Sequence, residues 1–436
     1  MNKIRKAHIY TKMLSIYRPV LNDSVMQRLT ALLDYICSEN YDLLKGLDLY
    51  NAFFYELVSR QPLRTLHEYM ADLVLYTDTP FSSYMEMSGK MNQEDKIVWA
   101  AGFELGYLQE IAGLTGQDFK THFNQHYDAE EFRILIKNLP VWDFSTKNSS
   151  ENILMKSPDW SSCIQKLIGF YNTNGSGIFA RHKAFIWEVD GGKGYAKPVL
   201  FPDTVRLSDL IGYERERSII IENTRYLLNG NKANNILLYG DRGTGKSSTV
   251  KAILNEYAGD GLRLIEVKKD RISFIPDIIQ LIRNSRLKFI LFVDDLSFED
   301  SGNDYTSLKA ALEGGIENIP DNMVIYATSN RRHLVRESFS DRGGPGTPDG
   351  SDEVRIQDTM QEKLSLSDRF GITVVFSSPD KKSYLDIVKG LAERYNIEMP
   401  EDILFGEAMK WELWYNSRSP RTAHQFINYL RAKKQA

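Results

Sequence analysis

Two cysteines, Cys37 and Cys163, are all that the 436 residues contain. They fit no metal-ligand spacing and no disulfide framework, so a stapled secreted scaffold and a cysteine-built metal centre are excluded. Both are expected as small core residues in a reducing cytoplasm. Long apolar runs are also missing. Phe289-Ile-Leu-Phe-Val293 is the longest near the motifs described below, far short of the roughly 20 residues that cross a bilayer. The opening, Met1 to Tyr10, is basic without the apolar stretch of a signal peptide; a solvated helix face is expected there, with a mitochondrial-type targeting helix as the alternative because no acidic residue precedes Asp23. Net charge is small as well. Fifty-four Lys and Arg against 58 Asp and Glu leave −4, which excludes a globally basic nucleic-acid binder while leaving a local basic groove open.

Proline and β-branched runs are sparse over residues 1–142, where apolar residues recur at helical spacing. Phe53, Phe54, Leu57 and Val58 mark one face; Phe103, Leu105, Leu108 and Ile111 mark another. A mostly helical N-terminal domain is expected, with these aromatics in its core. Residues 143–202 read as a connection. Ser145 to Glu151 is polar, Asn172 to Gly177 is a break, and Ile178 to Val189 has the composition of a strand. That strand is expected to form a hairpin with Lys197 to Phe201. From 203 to 378 the pattern alternates. Ile236–Tyr239, Leu262–Val267, Phe289–Val293, Met323–Thr328 and Ile372–Phe376 are short and apolar, as strands covered on both faces are. The predicted fold class is therefore α/β: a five-stranded parallel sheet with helices on both faces. Residues 379–436 return to helical spacing at Tyr384, Ile387, Val388 and Leu391, and at Ala423, Phe426, Ile427 and Leu430, predicting a small C-terminal helical lid.

The first predicted strand runs into Gly240-Asp241-Arg242-Gly243-Thr244-Gly245-Lys246-Ser247-Ser248, which fits G-x-x-x-x-G-K-[ST] and opens a helix-like segment. Strand, glycine turn and helix in this order are the context that this motif requires. The glycines let the backbone wrap a polyphosphate with its N–H groups inward, and the helix start adds its positive end. Lys246 is expected at the β- and γ-phosphates of a nucleotide, and Ser247 on Mg²⁺. Phe289 to Val293 ends in Asp294 and Asp295. Asp294 is the expected metal-side acid, and Asp295 the acid that orients or deprotonates water. Met323 to Asn330 is a further strand ending in small polar residues, with Thr328, Ser329 and Asn330 placed to meet a γ-phosphate or water; Asn330 as a helix cap is the alternative. Arg369, just before the fifth strand, either pairs with Asp368 or reaches the phosphates of a neighbouring subunit. Arg421 starts the last helix, where a cation opposes the dipole. Arg331, Arg332 and His333 form a small basic patch, and Ser340 to Gly350 reads as an irregular loop.

Together these residues resemble the AAA+ ATPase superfamily. Leu210-Ile211-Gly212-Tyr213 is similar to its adenine-side element, Gly240–Ser247 to Walker A and Phe289–Asp295 to Walker B. Asn330 falls at the sensor-1 position, Arg369 at the arginine finger and Arg421 at sensor 2. A narrower resemblance is to a bacterial ATP-binding family catalogued as domain of unknown function 815. It rests on Asn234 to Ser248, Asp294 to Phe298, Leu312 to Ile316 and Tyr326 to Leu334, and it includes the strand near Phe185-Ile186-Trp187. The resemblance implies a core over 203–378 and a lid over 379–436. It also implies ATP and Mg²⁺ as ligands, with Ile211, Gly212 and Arg421 joining Asp241 to Ser248 around the nucleotide. Asp295 stands where many members carry Glu, which implies slow, switch-like hydrolysis. No N-K-x-D segment for guanine is found. The expected function is an ATPase whose nucleotide state moves the lid and remodels or recruits a protein partner gripped by the N-terminal half. An ATP-gated switch with little turnover and a DNA-associated loader are the alternatives, and assembly into a homo-oligomer is left open.

Overall fold

The computed structural model describes residues 2–39, 41–60, 64–88, 95–127, 129–143, 152–296, 308, 312, 319–330, 369–415 and 417–435. The connection at 145–151, the basic patch at 331–333, the loop at 340–350 and Asp368 lie outside them. The chain divides into two compact units, Met1–Arg181 and His182–Ala436.

The first unit is helical, as expected. Several of its helices begin where the sequence supplies caps. Thr65 with Glu68 and Thr115 with Asp118 form capping boxes, and the Asp23 carboxylate accepts from the amides of Val25 and Met26. Phe53, Leu57, Leu105, Leu108 and Ile111 are buried in one core with Trp160, Cys163, Leu167 and Tyr171. Phe103, which the spacing placed inside, is instead 52% exposed and stacks edge-on against the exposed Trp99. The buried Glu104 carboxylate accepts from the amides of Ser15, Ile16 and Tyr17 and from the Ser15 hydroxyl, which fixes the chain as it leaves the first helix.

The expected connection over 143–202 is thus shared between the units: Trp160 to Tyr171 pack into the first, and the hairpin belongs to the second. The hairpin is also shorter at its start than expected. Gly177–Arg181 is a turn of helix, and the strands are β1 (Ala184–Asp190) and β2 (Lys193–Pro198), paired antiparallel.

The other strands follow the sequence closely: β3 (Ile236–Gly240), β4 (Leu262–Glu266), β5 (Lys288–Val293), β6 (Met323–Ser329) and β7 (Ile372–Phe376). Seven strands among the described residues, rather than five, form one sheet in the order β2-β1-β4-β5-β6-β3-β7. β1 joins the edge of β4 in parallel, with Ala184 opposite Leu264. Only the hairpin pair is antiparallel. The local pattern of β1 gave no sign of this long-range pairing, hence the miscount. Three helices, Lys381–Arg394, Glu401–Tyr415 and Pro420–Gln435, close the unit around Tyr384, Ile387, Val388, Leu391, Phe426 and Ile427.

Candidate nucleotide-binding site

β3 lies between β6 and β7, and β5 lies beside β6. In register, Tyr239 is opposite Ser329 and Val293 opposite Ala327, so the carboxyl ends of β3, β5 and β6 open on one edge. Such an edge is where parallel sheets hold ligands.

The loop leaving β3 depends on glycine at two places above all. At Gly240 φ is 140°, and a Cβ would lie 2.0 Å from the Phe376 carbonyl oxygen of β7. Gly245 has φ 94° and is the N-cap of the helix Lys246–Tyr257. The Lys246 side chain folds back along the loop. Its Nζ donates to the carbonyls of Gly240 (2.8 Å) and Asp241 (2.7 Å) and to Oδ1 of Asn330 (3.1 Å). Burial lowers its pKa, and the carboxylates of Asp241, Asp294 and Asp295 oppose that shift.

Asp294 Oδ1 accepts from the Ser247 hydroxyl at 2.6 Å and the Thr328 hydroxyl at 2.5 Å. The Thr328 oxygen in turn accepts from the Asp295 amide at 2.8 Å. Asp295 holds φ 53°, an uncommon region for a side-chain-bearing residue. Asn330 Nδ2 donates to its Oδ1 at 2.6 Å, and Lys269 lies 3.6 Å from its Oδ2. Asn330 therefore ties the loop lysine to the second acid. Glu266, at the end of β4, is half-buried; burial and the Asp294 charge raise its pKa.

Two cavities meet over the loop, sharing Gly243, Gly245, Ser248 and Arg421 in their walls. One, about 360 Å³, is lined by Arg242, Lys246, Ser247, Asp294, Asp295, Thr328 and Asn330. The other, about 260 Å³, is walled by Leu210, Ile211, Tyr213, Arg217, Thr249, Ile387 and His424. The Arg421 amide donates to the Gly243 carbonyl at 3.2 Å, so the start of the lid helix rests on the loop. Ser419 caps that helix by accepting from the Thr422 amide, with Pro420 in its first turn.

The structure brings most of the sequence-selected residues to these cavities and sets a few apart. Gly212, at φ 79°, lines a neighbouring cavity with Glu214 and Pro379. The Asp241 carboxylate turns to Ser378, whose amide and hydroxyl hydrogen-bond it and lower its pKa. The Thr244 hydroxyl donates back to the Asp241 carbonyl, while the residue itself lines the smaller cavity. Arg369 stands three residues before β7 and lines neither cavity. Sequence reasoning reached Tyr213 only as part of the adenine-side segment, and it missed Arg217, Thr249, Ile387, His424 and Lys269. His424 carried a usable signal, being three residues after Arg421 on one helix face. Lys269 carried none, because only the fold brings its loop to β5.

A glycine loop between a central parallel strand and its helix, an acid pair ending the strand two places away, a polar strand end between them, and a helical lid set on the loop define a P-loop domain of the AAA+ type. The chain belongs to the family described as "Protein of unknown function (DUF815)", which matches residues 180–434. No curated protein matches. Among solved structures, an RuvB variant from Thermotoga maritima is 18% identical with a TM-score of 0.35, covering 52% of this chain and 64% of that one. The chain thus spans just under two thirds of that RuvB. AMPPCP-bound DnaA from Aquifex aeolicus is 20% identical with a TM-score of 0.34, covering 54% of this chain and 67% of that one. Replication initiator DnaA bound to AMPPCP and single-stranded DNA is 19% identical with a TM-score of 0.34, covering 53% and 66%. Among the described residues no helix is long and apolar enough to cross a membrane.

Proposed function

We propose that this chain is a Mg²⁺-dependent ATP-binding protein that hydrolyses ATP slowly and uses its nucleotide state to move the helical lid. The observation that carries the reading is the convergence of Lys246 and Ser247, at the start of one helix, with Asp294 at the end of β5, in a cavity joined to a second whose walls include Leu210, Ile211 and Ile387. The triphosphate lies along the amides of Gly243 to Ser248, and the adenine enters the smaller cavity beside Ile211. Lys246 leaves the loop carbonyls for the phosphates. Ser247 and Asp294, two oxygen donors 2.6 Å apart, suit a hard divalent cation and hold Mg²⁺, which supplies charge neutralisation on the phosphates. Asp295 takes the proton of the attacking water, and Asn330 keeps that carboxylate in place.

Lid movement is supported by the Arg421–Gly243 contact, since a filled site presses on the lid's first turn. The partner is a protein bound by the N-terminal helical unit, where the exposed Trp99 and Phe103 offer contact surface. The Asp295 carboxylate is held by Asn330 and Lys269, and this favours a second reading, an ATP-gated switch with little turnover.

Lys246→Ala is expected to weaken ATP binding by at least a hundredfold in calorimetry, and unchanged affinity overturns the reading. A steady-state ATPase assay separates the two forms: turnover near background and unaffected by Asp295→Asn favours the switch. We place Arg369 at a neighbouring subunit's phosphates in an ATP-dependent homo-oligomer. Arg369→Ala should then spare binding and lower turnover. Turnover independent of protein concentration and untouched by Arg369→Ala removes it from that role.

A further inference from the structure

A surface helix carries its apolar residues on the side that meets the core and polar residues opposite. The second lid helix, Glu401–Tyr415, departs from this. Leu404, Ala408 and Glu412 turn into the lid and are buried, with Phe405 and Met409 packed beside them. On the other side Ile403, Leu413 and Trp414 are 50%, 73% and 76% exposed. Among the described residues, the helix is thus apolar on two sides and covered on one. None of these three exposed residues lines either cavity over the phosphate loop, so the nucleotide reading gives them no task.

The outer side has an order. Ile403, Glu407, Lys410 and Trp414 follow at steps of four, three and four, the spacing that keeps residues on one stripe of a helix. Apolar residues end the stripe, and a pair of opposite charges sits in its middle, where Lys410 Nζ donates to Glu407 Oε1 at 2.7 Å. Both charged side chains remain open to solvent, 47% for Glu407 and 67% for Lys410. Gly406 lies beside the stripe, and a Cβ there would meet no atom within 4 Å, so a second helix can approach closely. Reversed end for end, the spacing is unchanged. Two copies of the helix laid antiparallel about a twofold axis therefore set Ile403 against the partner's Trp414 and Glu407 against the partner's Lys410, each twice. Laid parallel, the same stripe would set like charges against each other.

We propose that this stripe is a contact between two copies of the chain, lid to lid and antiparallel, formed without nucleotide. Charge complementarity selects that occupant: another protein would have to supply a matching face, whereas this stripe already matches itself. Ile403 and Trp414 supply the apolar area, and the Glu407–Lys410 pairs fix the direction and register. The contact does not depend on the nucleotide reading or on the ATP-dependent assembly through Arg369. A seam of this length lies at the small end of specific interfaces, so a dissociation constant on the order of 10 μM is expected.

Sedimentation equilibrium of the full chain without nucleotide tests this, at concentrations from about tenfold below that constant to about tenfold above it. Wild type is compared with Glu407→Lys and with Lys410→Glu, each alone and then in an equimolar mixture. Either substitution puts like charges across the twofold axis, so each variant alone should self-associate at least about tenfold more weakly than wild type. Mixing them restores Lys against Glu at both places, and mixed dimers should form within about threefold of the wild-type constant. A wild type that stays monomeric throughout overturns the proposal. So does association that appears only with ATP, or that neither substitution weakens. Variants that fail alone and fail again when mixed overturn it as well, because the stripe then meets something other than itself.

Discussion

Gly240→Ala should be the most damaging single methyl in the phosphate loop, and the reason can be separated from glycine's general freedom. Two costs add at this position. The residue sits at φ 140°, and a side chain held in such a region costs about 2 kcal/mol. The new Cβ would also stand 2.0 Å from the Phe376 carbonyl oxygen and 2.6 Å from its carbon. These are backbone atoms of a paired strand and cannot swing aside, so β3 and β7 must part at the end of their ladder. Overpacking of this kind costs about 2 kcal/mol more. The sum, about 4 kcal/mol, is close to a thousandfold in an equilibrium constant. Gly245→Ala is the control. Its φ is 94°, but no atom lies within 4 Å of the added Cβ, so only backbone strain remains, about 1 kcal/mol or roughly fivefold. Native-state hydrogen exchange of the β3 and β7 amides reads both variants in the full chain, without confusing the two units. Equal acceleration in the two would refute the reasoning, because it would mean that strain alone matters and the approach of β7 does not.

Two further predictions concern the acids and the imidazoles. Asn330→Ala unties Asp295 from Lys246 and should lower single-turnover hydrolysis by about tenfold to a hundredfold with ATP affinity kept within threefold; an equal loss in affinity would assign Asn330 to binding instead. Burial holds His67, His122 and His424 below the ordinary imidazole pKa, so the unfolded chain takes up protons that the folded chain refuses as pH falls below about 6.5. Stability should therefore decline from about pH 6.5 downward. Asp209, Asp241 and Asp380, whose pKa values are lowered, contribute stability above about pH 4 and lose it as pH falls further. Urea unfolding that is flat between pH 7 and pH 5 would contradict the histidine part.

What was legible in the sequence was whatever local pattern encodes. Strands β3 to β7 showed their short apolar runs, the lid its helical spacing, and the loop its glycines. Asp294, Ser247 and Asn330 were readable because each sits at a fixed offset from a strand end or from the motif. Partnerships made across the fold were not readable. Lys269 meets Asp295 only because β4 and β5 are neighbours, and β1 joins β4 across 80 residues of chain. Ile178 looked like strand for a related reason: composition alone does not separate a short helical turn from the strand that follows it. Phe103 sits on a helix with apolar residues nearly all round, and periodicity alone could not show which of them would stay exposed.

The pairing of β1 with β4 decides where this chain can be cut. A fragment begun at residue 203, where the alternating pattern starts, would strip β4 of its outer neighbour and bare a row of backbone N–H and C=O groups beside Leu264, Ile265 and Glu266. Such an edge invites other chains to add to it. A fragment begun at residue 182 keeps the hairpin and moves the open edge to β2, which carries Lys193, Lys197 and Pro198. Lysines repel an incoming strand and proline offers it no donor. The first boundary should yield aggregates and the second a dispersed protein, so the hairpin acts as the second unit's own guard against sheet extension.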